Sequence, residues 1–169
     1  MTKCSKYFIV VLIALSGFWS ACTQERSPCL TPKTASLILR TMHRSTDTST
    51  VFVDTALPAA VFISLAKVDS NIGTIYSKRS SFTLSLSPDS NICRWTFTTD
   101  TLNSDFDTIT FYYQRNRQFL SNACGFTYFY TIDSVLSTRH IIDSLHITNN
   151  TVTNNVNTKH LEVYIHPGF

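Results

Sequence analysis

Apolar and polar residues alternate along much of the chain with a period of two. In "SFTLSLS" (81–87) Phe82, Leu84 and Leu86 fall on one side, with serine or threonine between them. The stretch "ICRWTFTTD" (92–100) aligns Cys93, Trp95 and Phe97, and "FDTITFYYQRN" (106–116) sets Ile109, Phe111 and Tyr113 against Thr108, Thr110 and Tyr112. Successive side chains of a strand point to opposite faces, so this alternation predicts strands with one buried face. "KHLEVYIHP" (159–167) repeats it with Leu161, Val163 and Ile165, while "FTYFYTI" (126–132) is apolar on both faces and reads as a central strand. Further strands are predicted over 35–42, 50–54, 60–68, 72–78 and 140–149, and a hairpin through residues 88–91 between the segments at 81–87 and 92–100. Only "DSVLSTRHIIDSL" (133–145) offers a short helix as an alternative.

Clusters such as "DSN" at 69–71 and 89–91 punctuate these segments as turns do, and the Asn/Thr-rich stretch 148–158 reads as an exposed loop. Ser, Thr and Asn crowd the chain while the strong helix formers are sparse. The expected fold class is therefore all-β, an antiparallel β-sandwich of immunoglobulin-like type, with a small β-barrel as the alternative.

The first residues follow another pattern. Lys3 and Lys6 precede an apolar run from Tyr7 to Leu15, and Trp19-Ser20-Ala21-Cys22 has the small residues before a cysteine of a bacterial lipobox, with Trp19 where an aliphatic residue is usual. The run is too short to span a bilayer. Residues 1–21 are thus expected to be a lipoprotein signal peptide, 22–33 a lipidated Cys22 and a Pro-containing tether, and 34–169 a single β-sandwich domain. Thr23 after the cysteine points to the outer membrane, and "TQERS" has no acidic run for surface export, which favours a periplasmic facing while a surface facing stays open.

Of the 14 basic residues, Lys3 and Lys6 leave with the signal, so 12 remain against 11 acidic ones. A nearly neutral chain without a basic stripe lacks the long-range attraction that nucleic acid requires, so that partner is set aside.

Three stretches carry a resemblance. "SPCLTPKTASLILR" sets a cysteine soon after the lipid attachment site, "DTITFYYQRNRQFLSNACGFTYFY" contains a Y-x-R…S-x-A-C-G block, and "HLEVYI" stands near the end. Together they resemble a family of small, uncharacterised lipoproteins of the Bacteroidota carrying a domain of unknown function. The resemblance covers most of the mature chain and implies an address and a shape, with no activity, ligand or catalytic residue. Cys93 is outside the pattern.

Accessible cysteine pairs become disulfides in an oxidising periplasm, and Cys29, Cys93 and Cys124 remain beside Cys22, so one is left over. Cys29 with Cys124 is the favoured pair, because it pins the tether to a strand and closes a long loop, worth about 4.7 kcal/mol in the chain-entropy model. Pairings through Cys93 stay open. A nucleophilic Cys124 needs a neighbouring base, and no Cys-His motif accompanies it.

His140 and His146 are spaced as two residues of one strand face, as are His160 and His166, so two adjacent strands would gather four imidazoles into a weak candidate metal site. The bland reading, polar outward positions, carries more weight, and no cofactor is expected. Asp100, Asn103, Asp105 and Asp107 crowd together but lack the glycine and terminal Glu of a calcium loop. Tyr112, Arg115 and Arg117 form a candidate ligand-binding face for an anion or sugar. No phosphate loop, G-x-S-x-G or metalloprotease helix is present. The expected role is a non-enzymatic binding or accessory module on a lipid tether, with an envelope protein as partner. The alternatives are a metal- or glycan-binding lipoprotein and, behind them, a hydrolase.

Overall fold

The structure is a computed structural model that describes residues 28–44, 51–65, 73–99 and 105–166. The residues expected to form a signal peptide, the expected lipidation site Cys22, most of the expected tether and the pair Asp100 and Asn103 lie outside the described residues. All described regular elements are strands: β1 (Ser36–Arg44), β2 (Phe52–Asp54), β3 (Leu57–Ser64), β4 (Gly73–Arg79), β5 (Ser81–Ser85), β6 (Ile92–Thr98), β7 (Asp107–Ser121), β8 (Gly125–Ser137), β9 (Ile142–Ile147), β10 (Thr151–Val152) and β11 (Leu161–Ile165). They form two packed sheets, a β-sandwich with no closed barrel. One sheet runs β2-β1-β11-β9 with β5 also on β1, the other β10-β8-β7-β6-β3-β4. Segment 133–145 is strand at both ends, and the possible helix is absent.

The period-two residues build the core. Phe82, Leu84, Leu86, Cys93, Phe97, Ile109, Phe111, Tyr113, Leu161, Val163 and Ile165 are all buried, drawn from both sheets into one cluster. Phe62 sits among rings, its centroid 5.2 Å from Phe82 and 4.9 Å from Phe97. Each fully buried aromatic of this kind contributes on the order of 2–3 kcal/mol.

Three sequence expectations change. β1 and β11 pair in parallel, Leu39 opposite Leu161 and Thr41 opposite Val163, so the antiparallel sandwich has one parallel seam. Strands far apart in the chain can take either direction, because no short turn dictates it. The expected hairpin at 88–91 does not form: β5 pairs with β1 in one sheet and β6 with β3 and β7 in the other, so the turn is a bridge between sheets. Tyr113 holds it, donating from its hydroxyl to Ser87 O at 3.1 Å and accepting from Ser87 N at 2.9 Å. Burial pushes that phenol up to about 12, so it acts as a hydrogen-bonding group rather than an acid. Third, the Asn/Thr-rich loop contains β10, where Val152 opposite Tyr130 is fully buried.

A second crossing depends on Asp107, whose side chain has no exposed surface. Its Oδ1 accepts from Thr138 Oγ1 at 2.6 Å and from His140 N at 2.9 Å, with His140 Nδ1 at 3.1 Å. Its Oδ2 accepts from the amides of Ile141 and Ile142, both at 2.7 Å. The donors belong to residues 138–142, where the chain leaves β8 in one sheet and enters β9 in the other. Burial acts to raise the carboxyl pKa, but the Thr138 hydroxyl and the amides of His140, Ile142 and Ile141 outweigh it and hold the group below its ordinary 3.8. The folded value is depressed, so this contribution is fully present above pH 3.8 and lost as pH falls through the folded value. Asp107→Asn keeps the shape but turns a donor toward donors. Urea unfolding at neutral pH should show it less stable than wild type by at least about 3 kcal/mol, with a flatter acid limb.

Candidate functional site

The sequence-derived ligand face divides in the structure. Beyond Tyr112, β7 has lost its neighbour β6, which pairs only as far as Ile92 opposite Tyr112. β8 meets β10 only at Tyr130 and Thr131. From Arg115 onward β7 and β8 therefore continue as a two-stranded arm, and residues 114–119 are all exposed. Tyr112 lies on the opposite face of β7 from Tyr113, Arg115 and Arg117, so the trio is not one site. Arg115 has a structural task, with Nε donating to Asn91 Oδ1 at 2.7 Å and Nη1 to Pro88 O at 2.6 Å. It clamps the bridge between the sheets.

The inward face of the hairpin runs on past the sandwich with nothing opposite it. Tyr113 and Ile132 are buried there as a pair; the next pairs out are Arg115 with Tyr130, Arg117 with Tyr128 and Phe119 with Phe126. Phe119 and Phe126 are each 55% exposed and Tyr128 37%. Phe119 and Phe126 meet edge to face at 5.2 Å, and the Arg117 guanidinium lies 4.2 Å over the Phe126 ring. The expectation of a central strand at 126–132 holds at its inner end, where Tyr130 and Thr131 lie between β10 and β7, and not along the arm. Only Tyr130 and Ile132 of that segment are buried, because the rest lies on the arm.

A disulfide closes the arm's tip. Cys29 and Cys124 are bonded, with Cα atoms 4.8 Å apart and a separation of 95 positions in sequence. Gly125 follows at φ +73°, a left-handed conformation that disfavours any side chain, while a Cβ there would meet nothing within 4 Å. The glycine is required by the turn and not by close approach. Ser121 Oγ accepts the Cys124 amide at 3.0 Å. The segment from Cys29 is further held along the arm, with Thr127 Oγ1 donating to Lys33 O and Asn154 Nδ2 to Pro32 O at 3.2 Å. Leu30, beside the disulfide, is 90% exposed. An unsupported two-stranded hairpin is marginal in water, so these ties give the arm its persistence.

The four histidines are not gathered. His140 binds Asp107, His166 Nδ1 lies 4.0 Å from Asp143, and His146 stands opposite Glu162 in the strand register. His160 is fully buried; its Nδ1 accepts the Ile38 amide at 3.0 Å while its own amide donates to Ile38 O at 2.8 Å. It thus extends β11's pairing with β1 by a side chain. Burial lowers its pKa, against weaker opposing pulls from the Thr151 and Ile38 backbone, and Nε2 has no hydrogen-bond partner. Among the described residues no group of three His, Cys, Asp or Glu is placed to hold a metal. Asp105 is exposed, while Asp107 faces only donors, so the two described members of the acidic cluster do not form a cation cage. A shallow depression of about 290 Å³ is lined by Asp105, Phe106, Thr108, Thr138 and His140, at the opposite end of β7 from the arm.

The outer face of the first sheet holds a charged ladder. Arg40 Nε donates to Glu162 Oε1 at 3.1 Å, with Nη2 on the same oxygen, and Tyr164 OH donates to Oε2 at 2.8 Å. Asp54 lies 3.5 Å from Arg40 Nη1 and 3.8 Å from Lys159 Nζ. Cys93 is buried and unbonded, and desolvation raises its thiol pKa, so it is an inert core residue.

A family of unknown function, DUF6452, matches residues 59–165. The chain belongs to this family. No curated protein and no solved structure matches it. The DUF6452 match opens inside β3 and closes with β11, so it takes in Asp107, His160, the arm and Cys124, while β1, β2 and Cys29 precede it.

Three outcomes follow for the DUF6452 chain. Since burial lowers the pKa of His160 in the folded chain, the unfolded chain takes up a proton more readily as pH falls below 6.5, and stability declines from there until the folded value is passed. In chemical denaturation between pH 7.5 and 5, His160→Gln should lack this slope. Replacing Cys29 and Cys124 together by serine should cost about 4–5 kcal/mol by the loop-entropy relation. Cys93 should react with a thiol reagent only once the chain is unfolded.

Proposed function

We propose that this chain is an outer-membrane lipoprotein, anchored through an acylated Cys22, whose β-sandwich is a non-enzymatic accessory module for an envelope protein partner. One observation carries the reading. The N-terminal segment is bonded at Cys29 to the tip of the β7–β8 arm, only seven residues after Cys22. An anchor placed there would be coupled to the folded body rather than trailing from it. Three acyl chains hold such an anchor, since each buried methylene contributes about 0.8 kcal/mol.

The environment of the polar groups supports a binding role over catalysis. Asp107, His160, Tyr113 and Arg115 each use their polar atoms on backbone groups or on turns that join the sheets. Function then resides in exposed surfaces carried on a rigid frame. Among the described residues β4 and β9 pair on one side only, and such edges accept added strands from a partner.

The test is a pull-down of the tagged chain from gently solubilised outer membrane, with mass spectrometry of the captured proteins and of the Cys22 peptide. An acylated Cys22 and a stoichiometric partner lost in Cys22→Ala are expected. An acylated chain with no partner above background would overturn the accessory role, and an unmodified Cys22 the anchoring.

A further inference from the structure

We propose that the inward face of the β7–β8 arm, formed by Arg117, Phe119, Phe126 and Tyr128, is a lipid-docking surface lying in the headgroup boundary of the anchoring membrane. The inference rests on the reading of Cys22 as the acylated anchor, and it deepens that reading by assigning the arm its ligand and the sandwich its orientation.

Geometry chooses the occupant. Cys29 lies seven positions after Cys22, and an extended chain advances at most about 3.6 Å per residue, so the disulfide stays within roughly 25 Å of the lipid surface. β7 has 15 residues, and at about 3.4 Å each it is about 50 Å long. The arm's tip is therefore the membrane-proximal end of the molecule. Phe106, 55% exposed, precedes the other end of the same strand, about 45 Å from Phe119 by the same rise.

The chemistry at the tip suits that place. Phe119 and Phe126 continue the core-facing side of the hairpin, but no second sheet covers them. A headgroup boundary accepts the apolar rings, leaves the Tyr128 hydroxyl in its polar layer and sets the Arg117 guanidinium among phosphates. Because the acyl chains already hold the protein, docking of the arm fixes how the sandwich is presented rather than whether it is bound. The Cys29–Cys124 bond is what transmits the anchor's position to the arm.

The test uses the full lipidated chain, reconstituted into vesicles of phosphatidylethanolamine and phosphatidylglycerol with brominated acyl chains. Tryptophan probes are introduced as Phe126→Trp or Phe106→Trp in a Trp95→Phe background, the buried Trp95 Nε1 making no hydrogen bond. Mass spectrometry of the same samples reads acylation and signal removal at Cys22. The probe at position 126 is expected to be quenched by the lipid about twofold or more over the probe at position 106, as for aromatic rings at the interface. Replacing Cys29 and Cys124 by serine should reduce the difference. Equal quenching at 126 and 106 in acylated protein would overturn the inference. So would a probe at 126 that is shielded from aqueous iodide yet untouched by brominated lipid, which would give the face to a protein surface. A chain without acylated Cys22 would remove the anchor reading and this inference with it, and the mass spectrum tells the two failures apart.

Discussion

The architecture turns on a buried carboxylate. Taking an ionised Asp out of water costs several kcal/mol unless donors replace the lost hydration. Asp107 recovers it from the Thr138 hydroxyl and three consecutive backbone amides. Those amides belong to a segment that has left one sheet and not yet joined the other, where backbone groups would otherwise be buried without partners. Each side thus satisfies the other. The same bonds set where β9 begins, so Leu145 falls opposite Val163 and Ile147 opposite Leu161, and the first sheet closes over the core in register.

His160 does comparable work at the parallel seam. β1 and β11 need a first pairing contact, and the backbone amide and imidazole of His160 provide a donor and an acceptor to the two polar groups of Ile38. The cost is a buried Nε2 without a partner, on the order of 1–3 kcal/mol. Asp107 and His160 are therefore structural hydrogen-bonding groups, each matched to a place where the strand ladder stops. The arm follows a different logic. It leaves the sandwich with its inward face uncovered, and covalent and side-chain ties to residues 29–33 take the place of a second sheet.

The alternating segments were legible without any structure, because a strand with one dry face must place its apolar residues two apart. Phe82 and Leu84, Ile109 and Phe111, and Leu161 and Val163 are buried as that pattern requires. The composition of turns and strands pointed to a sandwich for the same local reason. Pairing partners were not legible. "SPDSN" reads equally as a hairpin or as a bridge between sheets, since its turn residues shape only the local backbone. The choice was made by Tyr113 and Arg115, more than twenty residues away. Asp107 looked like part of an acidic cluster because sequence shows its neighbours along the chain and not the amides of 138–142.

The candidate face shows the division most clearly. Arg115 and Arg117 stood out by charge beside tyrosines, but one clamps a turn and the other stacks on a ring. Phe126 and Tyr128 stood in a segment that reads as a central strand, and their alternation is indeed that of a core strand. By itself the sequence determined which residues can share a face, because that follows from the two-residue period of a strand. Tertiary structure alone decided whether a face is covered, because covering requires a second sheet, and that sheet ends before the hairpin does.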